Sequence, residues 1–326
     1  MILAGDIGGT KTNLAWFARN GDRLERLETH SFPSRDYPGL EPVFDAFLAI
    51  APRPLSSACF GIAGPVVGWR CETTNLPWVV DTFNVRTHLN LEHVWLLNDL
   101  EALGYSIPVL ESTELVTLQP GRAQRGNAAL LAAGTGLGES FLFWNGRYHV
   151  PVPSEGGHSD FAPRNEWEIE LLRFLAERYG HVSYERILSG PGIVDLFDFI
   201  AFRGERPAEP VRIARDSGQD PAPAIATAGL DRSCPVSVQV LDRFVEIYGA
   251  EAGNMALKAL SVAGVFIGGG IAPKLLPRLL DGGFLRGFLD KGRFRGLLEQ
   301  MPVHIIQNQQ AGMLGAARYA ALQSQV

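Results

Sequence analysis

Cysteine is scarce in this chain. Cys59, Cys71 and Cys234 stand far apart and make neither a disulfide framework nor the paired spacing of a zinc site. A reducing cytoplasm is the expected setting. Lysine is also rare, at Lys11, Lys258, Lys274 and Lys291 alone, and no basic run occurs. With a net charge of −6 and a pI near 5.7, the composition argues against a nucleic-acid partner or an acidic-membrane binder. Long apolar runs are missing too. The longest candidate, Ala259 to Ala272, is broken by Gly264, Gly268, Gly269 and Gly270 and falls short of the ~18 residues a bilayer span needs. It reads as a buried strand entering a loop. Asp6 interrupts any signal-peptide hydrophobic region. There is no fixed-period repeat and no low-complexity tract.

What is present is a recurring glycine-threonine turn. Gly5-Asp6-Ile7-Gly8-Gly9-Thr10-Lys11-Thr12 lies between Ile2-Leu3-Ala4 and Leu14-Ala15-Trp16-Phe17, and Ala133-Gly134-Thr135-Gly136-Leu137-Gly138 lies between Ala128–Ala133 and Phe141–Trp144. Both read as strand, glycine turn, strand. Glycine lets backbone N–H groups approach phosphate oxygens and threonine adds a hydroxyl donor. Two such turns suggest a split nucleotide site, although positive φ in a hairpin would explain either one alone. Asp6 suits a magnesium ion held directly or through water; the alternative is an aspartate satisfying turn amides. No G-x-x-x-x-G-K-[ST] string occurs and no G-x-G-x-x-G opens a helix, which removes the Walker and Rossmann readings. The setting belongs instead to phosphate loops of the actin-like ATPase kind.

At 326 residues, 46% of them hydrophobic, the chain is long enough for about two domains with sizeable cores. Strands are expected at Ile2–Asp6, Thr12–Phe17, near Leu27–Phe32, Ala58–Ala63 and Val94–Asn98, with a helix over Leu40–Ile50. Short apolar strands with polar ends predict a mixed α/β sheet whose ligand groups sit at strand ends. A second unit is expected from near Pro108, with strands Glu114–Gln119 and Ala128–Ala133. It then turns helical. Glu166–Arg178 aligns Trp167, Leu171, Phe174 and Leu175, while Val240–Leu260 repeats Leu241, Phe244, Val245, Tyr248, Ala252 and Met255 at helical spacing. These aromatics read as core rather than ligand contacts. Gly204–Asp231 reads as a solvated connection with some helix. Strands Ala263–Ile267 and Val303–Gln307 follow, and a helix over Gly312–Leu322 packs back on the first domain.

Three polar clusters could carry chemistry. Asn98 and Asp99 end an apolar strand, where a carboxylate can accept a hydroxyl proton in phosphoryl transfer; equally, the pair can cap the helix Leu100–Ser106. Glu155 and His158 flank Gly156-Gly157, and an acid with an imidazole suits the hydroxyls of a polyol. His158 with Asp160 would begin a metal site, but no third ligand stands at a persuasive spacing. Glu185 precedes Ser189-Gly190-Pro191-Gly192 and reads as an exposed carboxylate paired with Arg186 or nearby groups. Ser189 lacks a nucleophile elbow.

In order along the chain, Gly5-Asp6-Ile7-Gly8-Gly9-Thr10, Leu97-Asn98-Asp99, Gly134-Thr135-Gly136-Leu137-Gly138, Glu155-Gly156-Gly157-His158-Ser159-Asp160-Phe161-Ala162-Pro163, Glu185 to Gly192, and Phe266-Ile267-Gly268-Gly269-Gly270-Ile271 resemble the bacterial glucokinases, ATP-dependent hexose kinases of the actin-like ATPase superfamily. Asp290-Lys291-Gly292-Arg293-Phe294 extends the resemblance over essentially the whole chain. It implies an α/β, two-domain, actin-like (ribonuclease H-like) fold with mixed sheets and a cleft between domains. Residues 1–109 with 310–326 would form the small domain and 110–309 the large one.

The resemblance further implies transfer of the γ-phosphoryl of ATP to the 6-hydroxyl of glucose, with Asp99 as base and Asn98, Glu155, His158 and Glu185 on other hydroxyls. Asp6 would organise Mg²⁺, the segments Gly5-Asp6-Ile7-Gly8-Gly9-Thr10 and Gly134-Thr135-Gly136 would hold ATP, and Gly268-Gly269-Gly270 would lie near the adenosine. Domain closure would exclude water. A homodimer is the expected assembly. Lys11-Thr12-Asn13 departs from the family and looks like the neighbouring group of sugar kinases that includes repressors. That group carries a cysteine-rich zinc motif, for which this chain lacks the cysteines, and no DNA-binding domain is expected before a phosphate strand at Ile2. Lys11 fits either solvent or a γ-phosphate contact. The competing functions are a kinase for another hexose and a non-catalytic sugar sensor.

Overall fold

Residues 1–21, 23–73, 76–203 and 209–324 are described by the structure, a computed structural model. They divide into two units: Met1–Glu114 with Val150–Pro153 and Asn308–Val326, and Leu115–His149 with Ser154–Gln307.

In the first unit the chain runs through β1 (Ile2–Ile7), β2 (Lys11–Asn20), β3 (Arg23–Pro33), α1 (Glu41–Ile50) and β4 (Ser57–Ile62). A small sheet of β5 (Val66–Val67), β6 (Arg70–Glu72) and β7 (Val79–Asp81) follows, then α2 (Thr82–Leu89), β8 (Val94–Asn98) and α3 (Asp99–Ser106). The main sheet has the order β3-β2-β1-β4-β8. Antiparallel β1–β2 and parallel β1–β4 and β4–β8 make it mixed.

The second unit runs through β9 (Leu115–Gln119), β10 (Ala128–Ala133), β11 (Leu137–Trp144), α4 (Glu166–Tyr179) and α5 (Gly190–Phe202); between β11 and α4 runs β12 (His149–Ser154), of which Val150–Pro153 cluster with the first unit. After these come α6 (Glu209–Asp216), α7 (Ala222–Leu230), α8 (Pro235–Ala259), β13 (Gly264–Gly268), α9 (Leu276–Leu280), α10 (Gly283–Leu289), α11 (Arg295–Leu298) and β14 (Val303–Ile306). Its sheet has the order β12-β11-β10-β13-β14-β9. Here β10 is antiparallel to β11 and parallel to β13, which is parallel to β14. The plan of the first sheet is thus repeated, with each glycine turn joining the equivalent strand pair.

Alternation along β1 explains its double burial. Leu3 and Ile7 face a core with Trp16, Phe44, Phe47 and Phe60, while Ile2 and Ala4 face Met313, Ala316, Ala317 and Ala320 of the last helix, α12 (Ala311–Gln323). That helix packs on α3, where a Cβ on Gly315 would stand 1.7 Å from the Ala102 carbonyl oxygen. Only glycine permits the approach.

Several elements differ from the sequence expectation. β3 begins at Arg23 rather than near Leu27, because its first half is a polar edge strand with mostly exposed side chains. Helix α8 starts five residues before Val240, where Pro235 fits the first helical turn and the Cys234 sulfur accepts from the Ser237 N–H. Residues 204–208 of the expected connection Gly204–Asp231 lie outside the described residues. In the rest, α7 buries Ala222, Ile225 and Ala228 and packs on α8, so it is core rather than solvated linker. Its small residues gave no apolar stripe to read.

Candidate active site

In the first unit, parallel register levels the carboxyl ends of three strands: Asp6 of β1 lies opposite Gly61, and Ile62 lies opposite Asn98 of β8. The chain then turns into α3, with Asn98 as N-cap. Its side-chain oxygen accepts from the Leu100 N–H at 2.9 Å, and Glu101 accepts from the Asn98 N–H at 3.1 Å, closing a capping box. The Asn98 amide also donates to the Gly64 carbonyl at 3.0 Å. The capping reading holds: Asn98 is fixed as the cap, and Asp99 stands exposed in the first turn of α3.

Asp99 and Asp6 carry perturbed carboxylates. Desolvation pushes the Asp99 pKa up to about 6, the Leu100 N–H works against the rise, and the charge of Asp6 adds to it. Half-buried Asp6 is likewise raised by desolvation, with its hydrogen bond from Asn13 and the charge of Lys11 in opposition. A carboxylate so weakly compensated at a strand end fits a hard divalent cation, which takes oxygen ligands. Among the described residues, no group of three or more His, Cys, Asp and Glu side chains could hold a metal. Any cation here would thus keep most of its ligands from water or substrate.

The first glycine turn is closed by Gly8 N–H to the Lys11 carbonyl at 3.1 Å and braced by Ser34. The Ser34 hydroxyl donates to the Gly8 carbonyl at 2.8 Å and lies 3.0 Å from the buried Thr12 hydroxyl. Ser34 was not legible as a site residue, since it lies beyond β3 in sequence. Thr10 and Lys11 are exposed. At Gly5 packing alone accounts for the glycine, because a Cβ would stand 2.7 Å from Leu14 and 2.8 Å from Phe60.

In the second unit the turn Gly134-Thr135-Gly136 is pinned on both sides. Gly134 N–H donates to the Gly136 carbonyl at 2.8 Å, and Gly190 N–H donates to the Gly134 carbonyl at 2.9 Å. Glu185 accepts from the Leu137 N–H at 2.9 Å. His158 lies between two carboxylates, 3.8 Å from Glu185 and 3.9 Å from Glu155. The structure therefore gathers Glu155, His158 and Glu185 into one cluster against the second turn. Of the partners expected for Glu185 it is the nearby groups, His158 and the Leu137 N–H, that stand against it, while Arg186 stacks 4.1 Å over the Tyr179 ring. Asp160 is turned away to His181 at 2.7 Å, which removes it from any site with His158. Ser189 is a cap, accepting from Gly192 N–H and donating to the Glu185 carbonyl.

Gly269 has φ +81°, and a Cβ there would stand 2.4 Å from the Ala133 carbonyl oxygen, so Gly268-Gly269-Gly270 runs beside the second turn. A cavity of ≈ 510 Å³ opens from that place, reached by Thr135, Pro191, Ala226, Thr227, Gly270 and Lys274. Its walls are largely aliphatic. The α7 wall is not legible in the sequence, because its small residues carry no apolar stripe and read as a connection.

The family described as Glucokinase matches residues 3–323. A curated glucokinase of Nostoc punctiforme is 44% identical over 337 residues, covering 98% of this chain and 99% of its own length. Among solved structures, a glucokinase from an Antarctic psychrotroph superposes with a TM-score of 0.87 at 30% identity, covering 98% of each chain. A glucokinase of the ROK family from Streptomyces griseus, solved with glucose and AMPPNP, gives a TM-score of 0.65 at 20% identity over 98% of this chain and 99% of its own, which shows the shared actin-like fold.

Proposed function

The chain belongs to the glucokinase family, and on that premise we propose that it transfers the γ-phosphoryl of ATP to the 6-hydroxyl of glucose, giving glucose 6-phosphate and ADP. The observation that carries the assignment of roles is Asp99, solvent-accessible in the first turn of α3 with its pKa raised to about 6. A carboxylate with that pKa is ionised at neutral pH yet basic enough to take the 6-hydroxyl proton as the oxygen attacks. Asn98, whose amide is oriented by its bonds to Gly64 and Asp99, stands beside the base to contact a neighbouring hydroxyl. Glu155 and Glu185 accept hydrogen bonds from other hydroxyls, and His158 between them donates or accepts.

The backbone of the two glycine turns, at Gly8-Gly9-Thr10 and Gly134-Thr135-Gly136, holds phosphate oxygens, and the cavity beside Gly270 takes the adenosine. Mg²⁺ would be held at Asp6, where it supplies charge neutralisation for the phosphates. Catalysis by this chain is then positioning and electrostatics. A homodimeric state and a cytoplasmic location belong to the same proposal, and sedimentation of the purified chain tests the first. Among the described residues no helix is long and apolar enough to cross a membrane.

A coupled assay of glucose 6-phosphate formation from Mg-ATP, beside mannose, fructose and N-acetylglucosamine with ADP detected, tests the reading. Glucose-selective turnover is expected. Turnover with another sugar alone would replace the substrate, and no turnover with any of them would leave a sensor.

A further inference from the structure

Two carboxylates unused by that chemistry lie inside the second unit. Glu139 on β11 and Glu251 on α8 are both fully buried, and Glu139 Oε1 and Oε2 and Glu251 Oε1 find no hydrogen-bond partner. Strand alternation would place an apolar residue at 139. Instead the carboxylate fills the space beside Gly156, whose Cβ would stand 2.3 Å from Glu139 Oε2. The Ser154 hydroxyl also donates to the Glu139 carbonyl at 2.8 Å. Glu251 reaches the other sugar-binding segment. Its Oε2 accepts from the Asn254 amide at 2.8 Å, and that amide lies 3.1 Å from the hydroxyl of Tyr184, the neighbour of Glu185.

We propose that Glu139, held as the neutral acid, and Glu251, held by Asn254 and Lys258, act as positioning residues, fixing the Ser154–His158 turn and the Tyr184–Glu185 segment for the sugar. A fully buried carboxylate with neither oxygen partnered is strongly disfavoured as an anion, so Glu139 keeps its proton. Desolvation, with the charge of Glu251 next, pushes the Glu139 pKa up to about 8, and Lys258 only partly offsets this. Lys258 Nζ stands 3.7 Å from Glu251 Oε1 with its side chain half exposed. The other titratable groups facing the pair are Tyr248 towards Glu139, and Tyr184 and Lys291 towards Glu251; both tyrosines are raised by desolvation and Lys291 is lowered by it. Near neutral pH one proton is therefore retained, and it leaves as pH passes about 8.

The proposal rests on Glu155, His158 and Glu185 being sugar contacts, so its test keeps the two apart. In the wild type, glucose KM is expected to rise about tenfold between pH 7 and 9 with kcat nearly constant. E139Q, which mimics the neutral acid, is expected to keep the pH 7 KM and lose the alkaline rise. E139A is expected to raise KM at every pH. Independently of activity, an infrared band of a protonated carboxyl should be present at pH 7 in the wild type and absent in E139Q. An alkaline rise surviving in E139Q, or a carboxyl band missing at pH 7 in the wild type, would overturn the neutral Glu139. The sugar-contact assignment fails separately, if E185Q leaves glucose KM unchanged at pH 7.

Discussion

Glu185 accepts a 2.9 Å hydrogen bond from the Leu137 N–H, and the same carboxylate oxygen lies 2.4 Å from the place a Cβ of Gly136 would occupy. A proposed sugar contact is thus braced directly on a proposed phosphate turn. Gly136→Ala should displace Glu185 and the turn together, raising KM for both glucose and ATP by about tenfold or more, since a small misplacement at a reacting site is amplified. Steady-state kinetics with each substrate varied checks this. A rise for ATP alone would show that the turn and the carboxylate move independently.

Asp99→Asn keeps an acceptor for the Leu100 N–H but cannot take a proton. Turnover should fall by about 10²–10⁴-fold, the usual contribution of a general base. Glucose affinity, followed by tryptophan fluorescence, should change little because the proposed hydroxyl contacts at Glu155, His158 and Glu185 remain. Turnover near the parent rate would remove Asp99 as the base.

The pKa of Asp99 sets an acid limb. Protonation occupies the lone pair that must accept the hydroxyl proton, so kcat/KM for glucose should fall about tenfold per unit below pH 6 and level off above it until the alkaline rise in KM near pH 8. Stability moves with the same group. Because the folded pKa is raised from 3.8 to about 6, the stabilisation is full below the unfolded value and is lost as pH rises through 6. Asp99→Asn should therefore melt higher than the wild type at pH 7, with the difference closing towards pH 4. A stability gap independent of pH would contradict the raised pKa.

How far the sequence carried the fold depended on the kind of signal. The strand-turn-strand hairpins at Asp6 and Ala133 were legible because glycine and threonine punctuate apolar runs, and their shared topology follows from that pattern. Helix α7 and the start of β3 were not, since alanine-rich and charged-edge segments carry no strong periodicity. For the proposed site, Asn98, Asp99, Glu155, His158 and Glu185 can be named as candidates from the sequence, but their partners cannot. Ser34, the Leu137 N–H and the buried Glu139 become visible only when register and packing bring distant residues together.

The last helix completes the first core by close approach. Gly315→Ala would force a Cβ to within 1.7 Å of the Ala102 carbonyl oxygen, so α12 must shift away from α3. Overpacking of this kind destabilises by about 1–3 kcal/mol. Urea unfolding should show the loss, and because α3 carries Asp99 in its first turn, kcat should fall as well. Unchanged stability would mean the interface accommodates a methyl group without the predicted strain.

The cavity beside Gly270 gives a selective handle on the nucleotide. Ala226 lines it from α7 and is only partly buried, so Ala226→Phe can project a ring into the ≈ 510 Å³ space without rebuilding the core beneath. If adenosine occupies that space, the ring removes room for the base and ribose while leaving the Gly134-Thr135-Gly136 backbone free for phosphates. KM for ATP should then rise by about tenfold or more, with glucose affinity and the Asp99-dependent acid limb preserved. Inorganic triphosphate, which has no adenosine to exclude, should compete with ATP more effectively in the variant than in the parent. A loss of glucose affinity with unchanged ATP KM would move the nucleotide out of this cavity, and would leave the second glycine turn without the neighbour that makes it a nucleotide site rather than a hairpin.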